Sequence, residues 1–295
     1  MQKQVKEFLR FMSLERGYSD HTIAAYRNDL AQFLSYLAEK VSSWQEVGRT
    51  HILDYVLYLK SREYASATVA RKFAAIKSFF HFLVTDGVLQ DNPTAAVDSP
   101  QVDKRLPHPL SPEEIARLLA EPARSNSAKA LRDRALLELM YATGMRASEV
   151  IGLEVNAVNL KAGTVRCLGK GNKERILPLH NRAQDALEAY LERGRVRLLR
   201  GRDERVLFLN HHGRPLTRQG LWLLVKEYAA AAGIEREVTP HTLRHSFATH
   251  LLDGGAGLRE VQHLLGHINI SSTQIYTEIS DRHKREAYDK AHPRA

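Results

Sequence analysis

The chain has 295 residues, of which 43% are hydrophobic, and a formal net charge of +9. This length accommodates two domains more readily than one. The positive charge and a sequence pI near 9.6 indicate a polyanionic partner, most simply nucleic acid, although a basic surface can also be merely solvated. A single cysteine, Cys167, excludes an internal disulfide and a cysteine metal cluster and is typical of a reducing cytosol. Because no apolar run is long enough to span a bilayer and the N-terminus is charged, we expect no membrane span and no signal peptide.

Residues 1 to about 86 have the apolar periodicity of four helices. The clearest stretch, residues 19–40, has a polar N-cap and one continuous apolar stripe. Residues 66–85 repeat this pattern. Their other side carries basic residues, namely Arg71, Lys72 and Lys77. A basic helix face is usually solvated, but the net charge of this chain makes DNA contact an equal possibility.

A change of composition separates two domains. Residues 97–112 are rich in proline and charge, which is typical of a linker. The segment Ser111-Pro-Glu-Glu114 then has the pattern of a helix start, with serine as N-cap and proline at the first position. The predicted division is an N-terminal domain over residues 1–96, a linker over 97–110 and a second domain over 111–295, with a tail from about residue 280.

The second domain is predicted to be mostly helical with a small antiparallel sheet. An apolar helix over residues 131–142 ends at Gly144, which places Arg146 at a helix junction with Glu149 as a candidate orienting partner. Two β-rich runs, residues 164–168 and 175–179, flank a glycine-rich turn and predict a hairpin. Residues 206–209 are a possible third strand, and the chain is helical again from about residue 217 to Gly233.

Chemically active side chains are concentrated near the C-terminus. Thr239-Pro240 predicts a helix start, so His241 and Arg244 lie one turn apart on the same helix face. A short helix stops at Gly266 and is followed at once by His267. Tyr276 comes nine residues later.

These residues, in this order, resemble the C-terminal signature of the tyrosine recombinases: His-x-x-Arg, then Leu-Gly-His, then a nucleophilic tyrosine. Upstream, the segment around Arg146 resembles the first arginine box of that family, and Gly169-Lys170-Gly171 resembles its lysine hairpin. The resemblance covers nearly the whole chain and is strongest to the bacterial Xer recombinases, with a preference for the XerD type. It implies a mainly α fold in which a four-helix, SAM-like core-binding domain precedes a mostly helical catalytic domain.

The resemblance also implies the roles of the site residues. Attack on a phosphodiester is opposed by its negative charge, and bidentate cations counter that charge. Arg146 and Arg244 are therefore expected on the two non-bridging oxygens, since a guanidinium matches phosphate geometry and stays charged. Tyr276 is the expected nucleophile. Its phenol has a reference pKa of about 10, so it requires a base and a strongly positive pocket.

Three further residues are expected to handle protons and hydrogen bonds. His241 is the candidate base for the tyrosine, and His267 is expected to donate a hydrogen bond to the phosphate. Lys170, at the hairpin tip, is the candidate acid for the leaving 5′ oxygen. By resemblance, the product is a 3′-phosphotyrosyl enzyme, whose bond energy allows rejoining without a metal or ATP. The expected cofactor is accordingly none, and the sequence contains no clustered carboxylates or phosphate-binding glycine loop.

The family further implies specific partners and a role. These are a double-stranded DNA recombination site, a tetramer formed with itself or with a paralogous recombinase, and a DNA translocase. The implied role is the resolution of chromosome dimers at cell division in the cytoplasm, with the C-terminal tail docking into a neighbouring protomer. The alternatives are a phage or transposon integrase, an architectural DNA-binding protein without catalysis, and topoisomerase activity as a side reaction.

Other residues in these motifs have simpler interpretations. His241 with His245, and His263 with His267, could form pairs of zinc ligands, but the adjacent Arg244 would repel a cation. Tyr288 is a second C-terminal tyrosine, and its charged surroundings favour packing of the tail. Lys173 and Arg175 are interpreted as contacts to the DNA backbone or as hairpin charges.

Overall fold

Two separate apolar cores organise the chain. The computed structural model describes residues 1–100, 108–169, 174–266 and 288–294. The chain divides into Met1–Leu106 and Pro107–Ala295, here called unit 1 and unit 2. Val97 packs into the core of unit 1, whereas Leu110 packs into that of unit 2.

Unit 1 contains four long helices around a core rich in aromatic rings. Its helices are α1 (Gln2–Leu14), α2 (Asp20–Leu37), α3 (Arg49–Ser61) and α4 (Ser66–Thr85). The largest buried rings are Phe8, Phe33, Trp44, Tyr55, Phe73, Phe79 and Phe80. Most pairs among these rings are edge-on or tilted, at centroid distances typical of aromatic pairs, while Phe33 and Trp44 are stacked. The predicted four helices are confirmed, although α2 ends three residues before the predicted position.

One prediction about unit 1 was wrong. Lys72 was placed on the basic outer side of α4, but its side chain is 9% exposed and donates to Asp29 at 3.0 Å. Asp29, on α2, is itself buried and also accepts from Arg71, which is half exposed. An ammonium group can be buried here because a carboxylate neutralises it. Lys77 remains on the exposed side, as predicted.

Unit 2 is built around one buried helix. Its helices are α5 (Pro112–Ala120), α6 (Ala128–Thr143), α7 (Ala147–Ile151), α8 (Asn181–Ala189), α9 (Val196–Leu199), α10 (Arg218–Ala231), α11 (Pro240–Asp253) and α12 (Leu258–Leu265). A π-helical stretch, Tyr190–Arg195, joins α8 to α9. Nearly every residue of α6 from Ala130 onward is buried, because α5, α8 and α11 all pack against it. Ser111 forms the predicted capping box at the start of α5.

The sheet of unit 2 has three antiparallel strands in the order β1 (Val158–Asn159), β2 (Thr164–Leu168) and β3 (Glu174–Pro178). Leu168 pairs with Glu174, which confirms the predicted hairpin. The third strand is nevertheless β1 and not residues 206–209, which form only isolated bridges to Glu154 and Pro215. Those residues are apolar and three of them, Leu207, Phe208 and Leu209, are buried, so their sequence resembles a strand although their backbone lies outside the sheet.

The end of the chain packs onto unit 2. Residues 288–291 are helical, and Tyr288 is 1% exposed, in agreement with its predicted packing role. His292 stacks on Tyr288 and its Nε2 lies 3.2 Å from the backbone oxygen of Tyr141. Arg294 donates to the buried carboxylate of Glu138 at 2.9 Å. The segment is thus fixed by both apolar and ionic contacts.

Cys167 lies on the inner face of β2 and is 1% exposed. Burial raises the pKa of its thiol to about 12, so the group is a packed, unreactive residue. In the part of the chain that the structure describes, the helices are all too short or too polar to cross a membrane.

Candidate active site

Arg146 is placed by a tight turn between two helices. Gly144 ends α6 in the left-handed conformation, with φ of 59°. A Cβ at this position would lie 2.4 Å from the ring of Phe247, so both conformation and space require glycine. Arg146 then forms the N-cap of α7, and its side chain is 41% exposed. The turn therefore presents a guanidinium at the surface of unit 2.

Glu149 orients Arg146. Its carboxylate accepts the backbone N–H of Arg146 at 2.7 Å and the side-chain Nη1 at 3.0 Å. Burial raises the pKa of this carboxyl, but hydrogen bonds from Arg175 and Arg146 outweigh burial and hold the pKa below its usual value. Glu149 therefore stays ionised at neutral pH. The predicted orienting role is confirmed, and the side chain of Glu149 is only 7% exposed.

Helix α11 carries His241 and Arg244. Thr239 caps this helix by accepting the backbone N–H of Thr242 at 3.2 Å, and Pro240 occupies the first helical position. His241 is exposed on the first turn, whereas Arg244, one turn later, is 7% exposed. The helix thus holds a histidine that solvent can reach beside a buried cation.

Both arginines reach the C-terminal end of α12. Arg244 donates from Nη1 to the oxygen of Gly144 at 2.6 Å and from Nη2 to that of Leu265 at 2.8 Å. Arg146 donates from Nη2 to the oxygen of Gly266 at 3.4 Å. Burial lowers the pKa of Arg244 to about 10, and repulsion from Arg146 contributes, but the group remains charged at neutral pH. The guanidinium groups of Arg146 and Arg244 therefore both lie at the C-terminal end of α12, where each donates a hydrogen bond to a backbone carbonyl oxygen.

Three of the predicted site residues lie outside the described residues: Lys170, His267 and Tyr276. In the chain, Lys170 falls in the connection between β2 and β3, and His267 follows Gly266 directly. The structure therefore brings together Arg146 and Arg244 and places His241 one turn from Arg244. The catalytic roles assigned to all six residues remain predictions.

Arg175 was misjudged from the sequence. It was interpreted as a DNA-backbone contact or a hairpin charge, but its side chain is 11% exposed. It forms two hydrogen bonds to Glu149, at 3.1 and 2.7 Å. The alternation of residues along β3 could have predicted this burial, since Arg175 falls on the same sheet face as Leu177 and pairs with Cys167. An arginine on the buried face of a short strand requires an internal partner.

Among the remaining histidines of α11 and α12, His250 has structural surroundings. His250 is buried, and its Nδ1 lies 2.9 Å from the hydroxyl of Tyr141. Within the described residues, no group of three or more histidine, cysteine, aspartate or glutamate side chains is placed to hold a metal. The possible partner of His263, namely His267, is outside those residues.

Comparison with known proteins identifies the family. The model of the phage integrase family matches residues 109–283, and that of the phage integrase N-terminal SAM-like domain matches residues 5–87. The chain belongs to the phage integrase family. Tyrosine recombinase XerC of Herpetosiphon aurantiacus is 48% identical over 99% of this chain and 95% of its own. Tyrosine recombinase XerD of Halalkalibacterium halodurans is 46% identical over 99% of this chain and 98% of its own. The predicted family and class of enzyme are confirmed, whereas the preference for the XerD type stays a prediction because relatives of both names match similarly.

Solved structures of phage integrase family members share the fold. A crystal structure of the site-specific recombinase XerH, bound to a palindromic difH substrate after cleavage, has a TM-score of 0.72. It is 25% identical, and the match covers 97% of this chain and 88% of that one. A lambda integrase dimer bound to a core site has a TM-score of 0.67 at 16% identity, over 95% of this chain and 99% of the other. The mainly helical fold with a small antiparallel sheet is therefore confirmed.

Proposed function

We propose that this phage integrase family member is a site-specific recombinase of double-stranded DNA that acts through a 3′-phosphotyrosyl intermediate. One observation carries the proposal. Arg146 and Arg244 are supplied by different helices and converge at the end of α12, from which the chain continues to His267 and Tyr276. Guanidinium pairs with fixed geometry suit the two non-bridging oxygens of a phosphodiester.

The arginines act by stabilising charge that grows during the reaction. As the phosphorus becomes five-coordinate, negative charge accumulates on its equatorial oxygens. Donors that are already oriented need no reorganisation at that moment. Glu149 and the carbonyls of Gly144 and Leu265 provide this orientation for Arg146 and Arg244. The resulting positive potential also favours the phenolate form of a nearby tyrosine.

The proposed chemistry is a transesterification. The phenolic oxygen of Tyr276 attacks the phosphorus while His241 takes the phenolic proton. The bond between phosphorus and the 5′ oxygen breaks, and Lys170 gives that oxygen a proton, which leaves a free 5′-hydroxyl. His267 donates a hydrogen bond to the phosphate. Attack by a 5′-hydroxyl of another strand on the phosphotyrosine reverses these steps and joins the new strand.

We assign DNA binding to both units and catalysis to unit 2. Unit 1 matches the SAM-like domain of the family and exposes Lys77 and half of Arg71 on α4. The net charge of +9 supports contact with the phosphate backbone. Four protomers, alone or with a paralogous Xer recombinase, would exchange strands in pairs. The role that fits best is the resolution of chromosome dimers at cell division, with a DNA translocase as regulator, and the site of action is the cytoplasm.

Covalent trapping tests this proposal. Labelled duplexes with candidate Xer sites, each nicked beside the cleavage position, are incubated with the protein alone and with a Xer partner. The nick lets the short cleaved fragment diffuse away, so the phosphotyrosyl adduct accumulates. We expect the label to stay with the protein through denaturing electrophoresis without added metal or ATP. Substituting Tyr276→Phe abolishes this adduct.

Tyr288→Phe is the matched control. Tyr288 is buried, so its phenol is closed to a DNA strand in this conformation, and the variant should form the adduct normally. An adduct that survives in Tyr276→Phe and disappears in Tyr288→Phe would reassign the nucleophile. Binding of every candidate duplex without an adduct, even with the partner, would favour an architectural DNA-binding protein. Adducts on duplexes of any sequence would favour a topoisomerase, and adducts only on mobile-element sites an integrase.

A further inference from the structure

Arg175 occupies a position that the proposed chemistry does not use. It lies on β3, close to the connection that contains Lys170, and its side chain turns inward. Most of the basic residues that the structure describes are exposed, whereas the side chain of Arg175 is only 11% exposed. Burying a guanidinium is costly unless each of its N–H groups is directed at an acceptor, so its contacts define what it does.

The first set of contacts joins Arg175 to the phosphate-binding arginine. Its Nη1 and Nη2 donate to the two carboxylate oxygens of Glu149, at 3.1 and 2.7 Å. The same carboxylate accepts the backbone and side chain of Arg146. Glu149 is therefore shared between two arginines, of which one is 11% exposed and the other 41% exposed. The buried partner fixes the carboxylate, and the carboxylate then orients the exposed partner.

The second set of contacts joins Arg175 to the end of α12. Its Nε donates to the oxygen of Leu264 at 3.1 Å. The guanidinium also lies over Gly266, where an added Cβ would come within 3.1 Å of Nη1 and 3.3 Å of Cζ. Gly266 has φ of 65°, which favours glycine, and it immediately precedes His267. One guanidinium thus contacts the residues that lead into the last part of the site.

We propose that Arg175 is a positioning residue for DNA cleavage. It orients Arg146 through Glu149, and it holds the C-terminal end of α12 through Leu264 and Gly266. It lies on the strand that follows the Lys170 connection. The start of α7 and the C-terminal end of α12 are thereby held by one planar group. The inference rests on the proposed function, because it concerns the residues assigned to that chemistry.

The geometry also predicts how the site fails without Arg175. A carboxylate that loses its buried partner binds its remaining partner more completely, so Glu149 would draw Arg146 away from a phosphate. The end of α12 would lose the donor at Leu264 at the same time. Lysine cannot replace arginine here, since one ammonium cannot donate to both carboxylate oxygens and to a carbonyl on the opposite side. DNA affinity depends on many phosphate contacts and should change little.

The test separates binding from cleavage. DNA affinity and the single-turnover rate of adduct formation are measured on the nicked duplex, at saturating protein, for Arg175→Lys and Arg175→Met. We expect the cleavage rate to fall about a hundredfold in both, while DNA affinity changes less than about threefold. The matched control is Arg166→Met. Arg166 lies on the same hairpin but on its exposed face, where it pairs loosely with Glu174 at 3.8 Å, and this variant should cleave normally.

Chemical rescue distinguishes positioning from general stability. Arg175→Ala leaves space beside Gly266 that ethylguanidinium can enter, so millimolar ethylguanidinium should restore part of the cleavage rate. Ethylammonium, which carries the same charge, should not. Cleavage by Arg175→Lys at the wild-type rate would overturn the inference. This result decides the question even if Arg175→Met and Arg175→Ala do not fold. A parallel loss of affinity and rate, with a weaker salt dependence of binding, would mean that Arg175 is a DNA-backbone contact.

The two proposals fail in different ways. If the wild type forms the Tyr276 adduct and Arg175→Met forms it equally fast, only the role of Arg175 is rejected. If the wild type forms no adduct on any site, with or without a partner, the proposed function is rejected and the role of Arg175 with it.

Discussion

Units 1 and 2 bury charge in different amounts. Over the described residues of unit 1, the buried charged side chains are Asp29 and Lys72, which pair with each other. The described part of unit 2 buries charged residues in several places, namely Arg132, Asp133, Glu138 and Arg244, with the side chain of Glu149 almost as deep. The core of unit 1 is otherwise dominated by aromatic rings.

The difference follows from what each unit must do. Apolar packing has little directional preference, and it suffices to give a helical unit its shape. Holding the guanidinium of Arg146 in one orientation requires directional bonds, and in unit 2 these come from Glu149, which Arg175 holds in turn. Breaking one such pair leaves an unpaired buried charge, which costs far more than the intact pair contributes. The stability of unit 2 should therefore depend on charge and pH, whereas that of unit 1 should depend on the volume of its core side chains.

The largest expected effect is truncation of an aromatic ring in unit 1. Phe33 is fully buried, with its ring 4.9 Å from that of Tyr55, so Phe33→Ala should lower the free energy of unfolding by about 4 kcal/mol. The chain contains two tryptophans, and Trp44 belongs to the core of unit 1. In a Trp222→Phe background, Trp44 fluorescence during urea unfolding therefore reports on unit 1 alone.

Phe33→Leu serves as its control and should cost about 1.5 kcal/mol, since it leaves a smaller cavity. The loss in both variants should be the same at pH 6 and pH 8, because no charge is involved. A strong pH dependence of the Phe33→Ala loss would remove the contrast between the units.

A slightly smaller effect is expected from Arg294→Met in unit 2. This change leaves Glu138 buried without its cation and should lower the free energy of unfolding by about 3 kcal/mol near pH 8. Burial raises the pKa of Glu138 despite the neighbouring Arg294. His180, 3.8 Å away, cannot substitute for Arg294, because burial lowers its pKa to about 3 and keeps it neutral. Thermal unfolding followed by Trp222 fluorescence in a Trp44→Phe background measures the loss.

The direction of the pH dependence follows from that raised pKa. A carboxyl whose pKa is higher in the folded than in the unfolded protein makes a contribution to stability that is lost as the pH rises above the unfolded pKa. Without Arg294 the folded pKa rises further, so the deficit of Arg294→Met should grow from pH 5 to pH 8. Adding Glu138→Gln should remove most of this growth. A deficit that is constant over this range would show that Arg294 contributes by packing instead of by charge.

The smallest of the three effects is expected at the one buried ion cluster found in the described part of unit 1. Asp29→Asn leaves Lys72 nearly buried without a carboxylate, while the half-exposed Arg71 can return to solvent. We expect a loss of about 2 kcal/mol in the free energy of unfolding of unit 1, read from Trp44. Lys72→Met in the same background should recover part of it. The exposed Asp54→Asn should have no effect, and a loss in Asp29→Asn no greater than that control would contradict the cluster's importance.

Much of the fold could be predicted because local signals agreed with the tertiary structure. The caps at Ser19 and Ser111, the glycine stop at Gly144 and the pairing of the neighbouring strands β2 and β3 all depend on residues close together in the chain. Such signals survive in a sequence read alone. The prediction of a third strand over residues 206–209 was wrong for the opposite reason. These residues have a strand-like composition, but they pair outside the sheet.

The sequence by itself determined several helix starts and stops, the β2–β3 hairpin and the residue types of the candidate site, because spacing, capping and the family motifs are all local. Only the tertiary structure decided which cations are buried and which partners fix them. Lys72 and Arg175 each directly follow another charged residue in the chain, yet each turns inward to a carboxylate from another element, Asp29 or Glu149. Those carboxylates are 43 and 26 positions away along the sequence, and burial of a charge depends on which groups meet in space.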